Sequence, residues 1–331
     1  MINRSKSASV LLAAGVLLLG TACGSSDREG GAGETDDGLT PLSVGVTGLT
    51  TDAPLYIAQK MGWFEDAGLD VEIDTAGGAA SVIPSLVNGE RQIGAGNLIS
   101  TIQATAQGIP MKAVAVQNVA AASEADTEHI TSAILVPADS PIQNAADLAG
   151  ATVAVNALNS LGDLTIKATV EAAGADPDGV EFIEMGFPDM IAAADTGRVE
   201  AVWEVEPFVT AGLAAGLRAV AYNFEAAAPE FPIGTYFTTE DFAAENPEAL
   251  ESFRSVIDRA TEYATENPDA VREIVLEYTQ IPPAAAEQMA LPNLVTSLDE
   301  EKVELLGELM VRYGLADEVP DLAAIFGDVY A

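Results

Sequence analysis

The sequence predicts an α/β chain of two lobes, each organised around a mainly parallel sheet. Three observations carry this. Short runs of β-branched and aliphatic residues alternate with helical patterns from Leu42 to Asn118. A long connecting strand, Thr131 to Pro137, follows, and the same alternation restarts and runs to Ala215. From Phe231 onward the pattern turns helical. Strands alternating with helices build parallel sheets through crossover connections, and an interruption followed by a restart reads as a second sheet.

At the N-terminus Arg4 and Lys6 precede an apolar stretch, Val10 to Leu19, and small residues lead on to Thr21-Ala22-Cys23. A bilayer span needs about 20 apolar residues, so residues 1–23 read as a cleaved export signal. Cys23 is the only cysteine and makes no internal disulfide. Its place directly after the signal resembles a bacterial lipobox, whose cysteine is diacylated and becomes the mature N-terminus. Gly20 stands where that motif usually has a leucine-like residue. Each buried CH₂ of an acyl chain contributes about 0.8 kcal/mol, and two or more chains hold a protein stably. The expected location is therefore the outer face of the cell membrane, reached by secretion and held by lipid. Residues 24–40, GSSDREGGAGETDDGLT, carry no large apolar residue before Leu39 and read as a flexible acidic tether.

The first lobe opens with the strand Leu42 to Thr47, which breaks at Gly48. Pro54 starts a helix with Leu55, Ala58 and Met61 on one face and Gly62 at its end. Val71 to Thr75 is a strand, followed by the turn Gly77-Gly78 and a helix from Ser81 to Asn88. Gln92 to Gly96 and Met111 to Asn118 are strands flanking a helix from Asn97 to Gln107. In the second lobe the strands are Thr152 to Asn156, Val180 to Glu184 and Ala201 to Val205. Helices at Ala145 to Leu148, Leu164 to Ala173, Asp189 to Ala194 and Pro207 to Ala215 accompany them. Asn246-Pro247 and Asn267-Pro268 each open a helix, with Asn as the cap and Pro in the first turn, and Leu298 to Tyr313 is a third.

The formal net charge is −37, with the acids scattered through helices and loops. Nucleic acid binding depends on neutralising phosphates with Lys and Arg, so that partner is excluded.

The stretch APLYIAQKMGWFEDAGLDVEI, Ala53 to Ile73, resembles the opening signature of the sulfonate, nitrate and thiamine-pyrimidine family of solute-binding proteins. The likeness continues through Gly77 to Gly96, Gln107 to Ala115, Ser140 to Val155 and Gly197 to Pro207. It implies a two-lobed type II periplasmic-binding-protein fold, hinged by two crossover strands, that captures solute between its lobes for an ABC importer. On that reading residues 41–129 and 235–331 form lobe 1 and residues 130–234 lobe 2. The implied partners are a small solute, a permease and an ATPase, with a monomeric chain and no cofactor.

Ligands of open α/β sheets sit outside the carboxyl ends of the strands. Those ends offer Thr47, Thr50, Asp52 and Tyr56; then Gly78 and Ser81; then Asn97; and, in the second lobe, Asn156, Ser160 and Gly162. Glu184, Trp203 and Glu204 complete the candidates, Trp203 to stack on a planar solute and Glu204 to accept from its N–H groups. Glu206 reads as a solvated surface acid. The helix starts at Ser81 and near Leu161 offer partial positive charge to an anion. Arg91, Lys112, Lys167 and Arg198 read as surface residues, and Asp52, Glu184 and Glu204 repel anions. A pyrimidine precursor is therefore favoured over a sulfonate. The alternative is an enzyme, since a pyrimidine-synthesising branch shares the fold. The resemblance gives that branch a histidine, a lysine and a cysteine motif, whereas this chain has one histidine, His129, and its one cysteine lies in the signal.

Overall fold

The computed structural model describes residues 38–76 and 79–331. The export signal with Cys23, the tether as far as residue 37, and Gly77-Gly78 lie outside the described residues. In chain order the strands are β1 Thr40–Val46, β2 Leu69–Thr75, β3 Ile93–Asn97 and β4 Met111–Val119. Next come β5 Ser132–Pro137, β6 Thr152–Val155, β7 Glu181–Glu184, β8 Ala201–Val205 and β9 Leu217–Ala221. β10 Pro232–Thr239 and β11 Asn293–Leu294 follow.

They form two sheets, one ordered β11-β4-β10-β3-β1-β2 and the other β7-β6-β8-β5-β9. Each has its own reason to fold. Val44 and Val46 of β1 and Ile93 of β3 pack with Leu55, Phe64, Tyr236, Phe253 and Ile257 in a core beneath the first sheet. Ile134, Leu135, Val153, Val202, Leu164 and Met190 do the same for the second. Burying such a side chain fully contributes about 1.5–3 kcal/mol. Among the described residues no helix is long and apolar enough to cross a membrane.

Both sheets are mixed, which corrects the expectation of mainly parallel pairing. β1 pairs in parallel with β2 and β3, and β6 with β7 and β8. β10 runs antiparallel to β3 and β4, and β5 antiparallel to β8 and β9. The cause is connectivity. β5 and β10 are the strands by which the chain enters one sheet from the other, and each lies inside its new sheet. β10 also overturns the helical reading from Phe231; its run Thr235-Tyr-Phe-Thr-Thr239 is β-branched and aromatic and sits in the middle of a sheet. The two crossovers lie side by side, with Ala120 N–H donating to Phe231 O (2.8 Å) and Glu230 N–H to Ala121 O (3.1 Å).

The helices Pro247–Glu266 and Pro268–Tyr278 start where expected. Their asparagines act differently from the expected caps. Asn246 Nδ2 donates back to Phe242 O (3.1 Å) and Asn267 Nδ2 to Tyr263 O (2.8 Å), so each closes the helix before it. An Asn between two helices serves either neighbour, and here the free carbonyls win.

Candidate functional site

The carboxyl ends of strands from both sheets converge on one cavity of ≈ 60 Å³. From the first sheet it receives Thr47 after β1, Gly96 and Asn97 of β3, Gln117 and Asn118 of β4, and Gly234 of β10. The second contributes Asn156 after β6, Trp203 of β8, and Phe187 and Phe224. Its lining is amide, hydroxyl, glycine, aromatic and aliphatic, the last from Leu49, Leu161, Val205 and Ile233; none of the described lining residues is Lys, Arg or His.

Asn97 is the best-defined polar group. It caps the helix Leu98–Ala106, its Oδ1 accepting from Ser100 N–H (3.0 Å) and Ser100 Oγ (3.2 Å). That fixes its Nδ2 outward, where it donates to Ser160 Oγ (3.3 Å), the residue before the helix Leu161–Ala172 of the other half. Gln103 Nε2 makes a second crossing bond to Asn159 O (2.8 Å). Asn97→Ala is expected to lower unfolding free energy by about 1 kcal/mol through the lost cap. Asn97→Asp keeps the cap and loses only the crossing donor. Urea unfolding of the two variants separates the roles, and equal losses would contradict this division.

Trp203 lines the cavity and is held rigidly. Its Nε1 donates to Ser132 Oγ (2.8 Å), which donates to Asn223 Oδ1 (2.9 Å). Asn223 Nδ2 donates to Thr165 Oγ1 (2.6 Å), and Thr165 donates to Leu161 O (2.7 Å). Phe187 packs tilted and Phe224 edge-on against the indole. Gly162 belongs to this arrangement without lining the cavity: a Cβ there would fall 2.5 Å from Trp203 Cε3.

Other expected residues serve the frame. Asp52 is fully buried, its Oδ2 accepting from the N–H groups of Gly48 (2.8 Å) and Leu49 (3.0 Å), its Oδ1 from Gln117 Nε2 (3.0 Å). It shapes the loop after β1 and meets the cavity through Leu49 and Gln117, both of which line it. Burial pushes its carboxyl up to about 6 against those hydrogen bonds. Thr50 donates through N–H and Oγ1 to Glu206 O (3.3 and 3.4 Å). Tyr56 stacks on Tyr278 with ring centroids 4.0 Å apart. Ser160 faces Asn97 but is not among the residues lining the cavity.

Four readings change. Glu184 is exposed at the end of the edge strand β7. Glu204 points away from Trp203 and Val205, which line the cavity on either side of it, because successive strand side chains face opposite ways. It is wholly buried, neither carboxyl oxygen has a partner among the described residues, and burial raises its pKa well above the ordinary value. Ser81 is exposed and does not line the cavity, and Gly78 lies outside the described residues. Glu206 is buried instead of solvated. Its Oε1 accepts from Thr210 Oγ1 (2.7 Å) and Ala290 N–H (3.2 Å), its Oε2 from Thr210 N–H (3.1 Å), and burial lifts it to about 7.

The helix start near Leu161 is also spoken for. Asp163 sits in the first turn of Leu161–Ala172, accepts from Asn159 N–H (2.6 Å), and is raised to about 6 by burial. Its carboxylate occupies the positive end that an anionic ligand would need.

Sequence reasoning missed Gln117, Asn118, Phe187, Phe224 and Gly234. The strand ends that place the first two were legible; the local irregularity that turns both toward the cavity was not.

A larger cavity of ≈ 610 Å³ lies between residues 206–213, 264–272 and 288–294, with His129 at its side. It begins at Glu206, directly after β8, and runs along β11 and the helices Pro247–Glu266 and Pro268–Tyr278. His129 bonds to Asp126 there (2.9 Å). Among the described residues no group of three His, Cys, Asp or Glu is placed to hold a metal.

Comparison with known proteins agrees with this geometry. The profile of a family described as NMT1/THI5 like matches residues 50–271. A formylaminopyrimidine-binding protein of Halalkalibacterium halodurans is 25% identical over 261 residues, covering 77% of this chain and 73% of that one. Among solved structures, the alkanesulfonate-binding protein SsuA of Xanthomonas axonopodis pv. citri, bound to MOPS, superposes with a TM-score of 0.71. It is 16% identical, over 91% of this chain and 99% of that one. The periplasmic nitrate-binding protein NrtA of Synechocystis PCC 6803 gives a TM-score of 0.69 at 18% identity, over 88% and 86%. The likeness to these two establishes the periplasmic-binding-protein fold.

Proposed function

The chain belongs to the NMT1/THI5-like family, and from that premise we propose that it is the extracytoplasmic solute-binding subunit of an ABC importer. The observation that carries this is the cavity built from strand ends of two separate sheets, with Asn97–Ser160 and Gln103–Asn159 bonds joining the two halves beside it. Residues 41–129 with 235–331 act as one lobe and 130–234 as the other. Cys23 carries the lipid, the following acidic residues tether the capture domain, and a permease with its ATPase receives the solute from a monomeric chain.

The solute is small, organic and planar, and a pyrimidine precursor fits better than a sulfonate. Three aromatic rings and four amides line the cavity, with no basic side chain among its described residues. The ligand in the name of the Halalkalibacterium halodurans relative, a formylaminopyrimidine, has that character.

Phe187, Trp203 and Phe224 from one lobe and Asn97, Gln117 and Asn118 from the other wall this cavity, and solute enters it when the lobes part. Solute contacts made in the closed arrangement then bias the equilibrium toward it. A thermal-shift series with aminopyrimidines, alkanesulfonates and nitrate tests the reading. A ligand at a hundredfold excess over its Kd stabilises by about 2.7 kcal/mol, and small-angle scattering should record compaction with the same ligand. Stabilisation without compaction would remove the closure mechanism. If no solute shifts the midpoint, and protein purified with its own export signal carries none, the capture function itself is removed.

A further inference from the structure

Within that reading, we propose that Gln117 and Asn118 form a hydrogen-bond-accepting edge that selects solutes presenting a primary amino or amide N–H₂ group and rejects oxyanions. The inference rests on the solute-capture function and narrows its ligand class.

Two neighbouring residues of a regular strand point to opposite faces. Gln117 and Asn118 do not. Across the β4–β10 pair Asn118 opposes Gly234 while Val116 opposes Thr235, so Gln117 is an extra residue in the ladder. Such a bulge re-aims side chains and recurs beside functional sites. Here it brings Gln117 Oε1 and Asn118 Oδ1 over one point, 2.7 and 3.0 Å from where a Cβ of residue 234 would lie. Any side chain at 234 would press on both oxygens, so glycine there lets them sit side by side. Both residues and Gly234 line the cavity.

The polarity of this edge is set from behind. Asp52 takes its two loop N–H bonds on Oδ2 and the Gln117 Nε2 bond on Oδ1. An ionised carboxylate accepts and cannot donate, so the Gln117 amide must turn its nitrogen toward Asp52 and its oxygen toward the cavity. Asn118 is 1% exposed, and its Oδ1 has no partner among the described residues. Buried acceptors are normally satisfied, and a ligand N–H group in the cavity that Asn118 lines would complete this one. Two acceptors side by side suit the two hydrogens of one N–H₂ group. A sulfonate or nitrate has no donor to offer, and its oxygens would meet the Gln117 and Asn118 oxygens.

Isothermal titration of the full-length mature chain with 4-aminopyrimidine, 4-methoxypyrimidine, methanesulfonate and nitrate tests this. The amino compound is expected to bind at least about 10-fold more tightly than its methoxy counterpart, the difference one buried unsatisfied acceptor makes. That ratio is expected to fall to near one in Asn118→Leu and to return in part in Asn118→Asp. The wild-type ratio needs no variant, so a misfolded substitution leaves the test intact. Equal binding of the two pyrimidines, or a ratio unchanged in folded Asn118→Leu, overturns the accepting edge. Tighter binding of methanesulfonate or nitrate also overturns it, while leaving solute capture standing. A ligand-free wild type that binds none of the four probes brings down both.

Discussion

Gly162→Val is expected to destabilise the protein by about 3 kcal/mol and to abolish solute binding. The added Cβ would lie 2.5, 2.8 and 3.1 Å from three ring carbons of Trp203. The indole has nowhere to go. Moving it breaks the Nε1 bond to Ser132 and, through Ser132 and Asn223, the chain that ends on Leu161 O at the same helix start. Each buried polar atom left unpaired costs about 1–3 kcal/mol. Phe187 and Phe224 block the remaining directions. Denaturant unfolding and titration with a bound solute measure both effects. Gly162→Ala should act in the same direction but less, and Trp203→Leu in the valine background should recover part of the stability. A valine variant within about 0.5 kcal/mol of wild type would show that the ring is not confined as described.

Acidification from pH 8 to pH 5 is expected to raise the thermal midpoint by about 10 °C. Burial lifts Asp52 and Asp163 from 3.8 to about 6 and Glu206 from 4.5 to about 7. Glu204 and Glu225 move in the same direction for the same reason. Between the ordinary and the raised values the folded chain holds protons that the unfolded chain has released. For Asp52, Asp163 and Glu206, stability therefore falls as pH rises through roughly 4 to 7. A two-unit shift is worth about 3 kcal/mol across the whole window, so several such groups outweigh most single contacts. The surface charge pushes the same way, since −37 charges repel less when partly protonated. Salt separates the two contributions. At 1 M ionic strength the Debye length is about 3 Å, which suppresses surface repulsion and leaves the buried acids acting. Glu204→Gln, which has no side-chain hydrogen bond to lose, should stabilise at pH 8 more than at pH 5. A midpoint independent of pH in high salt would contradict the burial of these carboxyls.

The parts of this protein legible in its sequence are those governed by a single period. Leu42, Val44 and Val46 alternate and are buried, and Pro54 and Gly62 bracket a helix as written. A polar residue at a strand end, just before a helix, can cap the helix and face a cavity, and Asn97 is placed to do both. Glu204 could have been placed correctly by the same alternation that identified β8. Its acidic chemistry drew attention away from its face. Other features obeyed no period. β10 lay in a stretch dominated by helix signals on its C-terminal side, and its aromatic and β-branched run was the overlooked cue. The convergence of Gln117 with Asn118 depends on one unpaired residue in a ladder, which exists only once β4 and β10 are paired. Asp52 looked like a ligand group because loops after strands carry ligands; complete burial turned it into a support for the residue that faces the cavity.

The paired crossovers have a mechanical consequence. Two adjacent covalent connections, cross-linked by the Ala120–Phe231 and Glu230–Ala121 bonds, resist sliding, because any shear would break that short ladder. Bending across the strip needs only small torsional adjustments in each connection. In the proposed opening of the lobes, the motion this strip itself would permit most easily is rotation about its own line. Displacement grows with distance from that line, so a modest rotation there becomes a wide gape at the far rim.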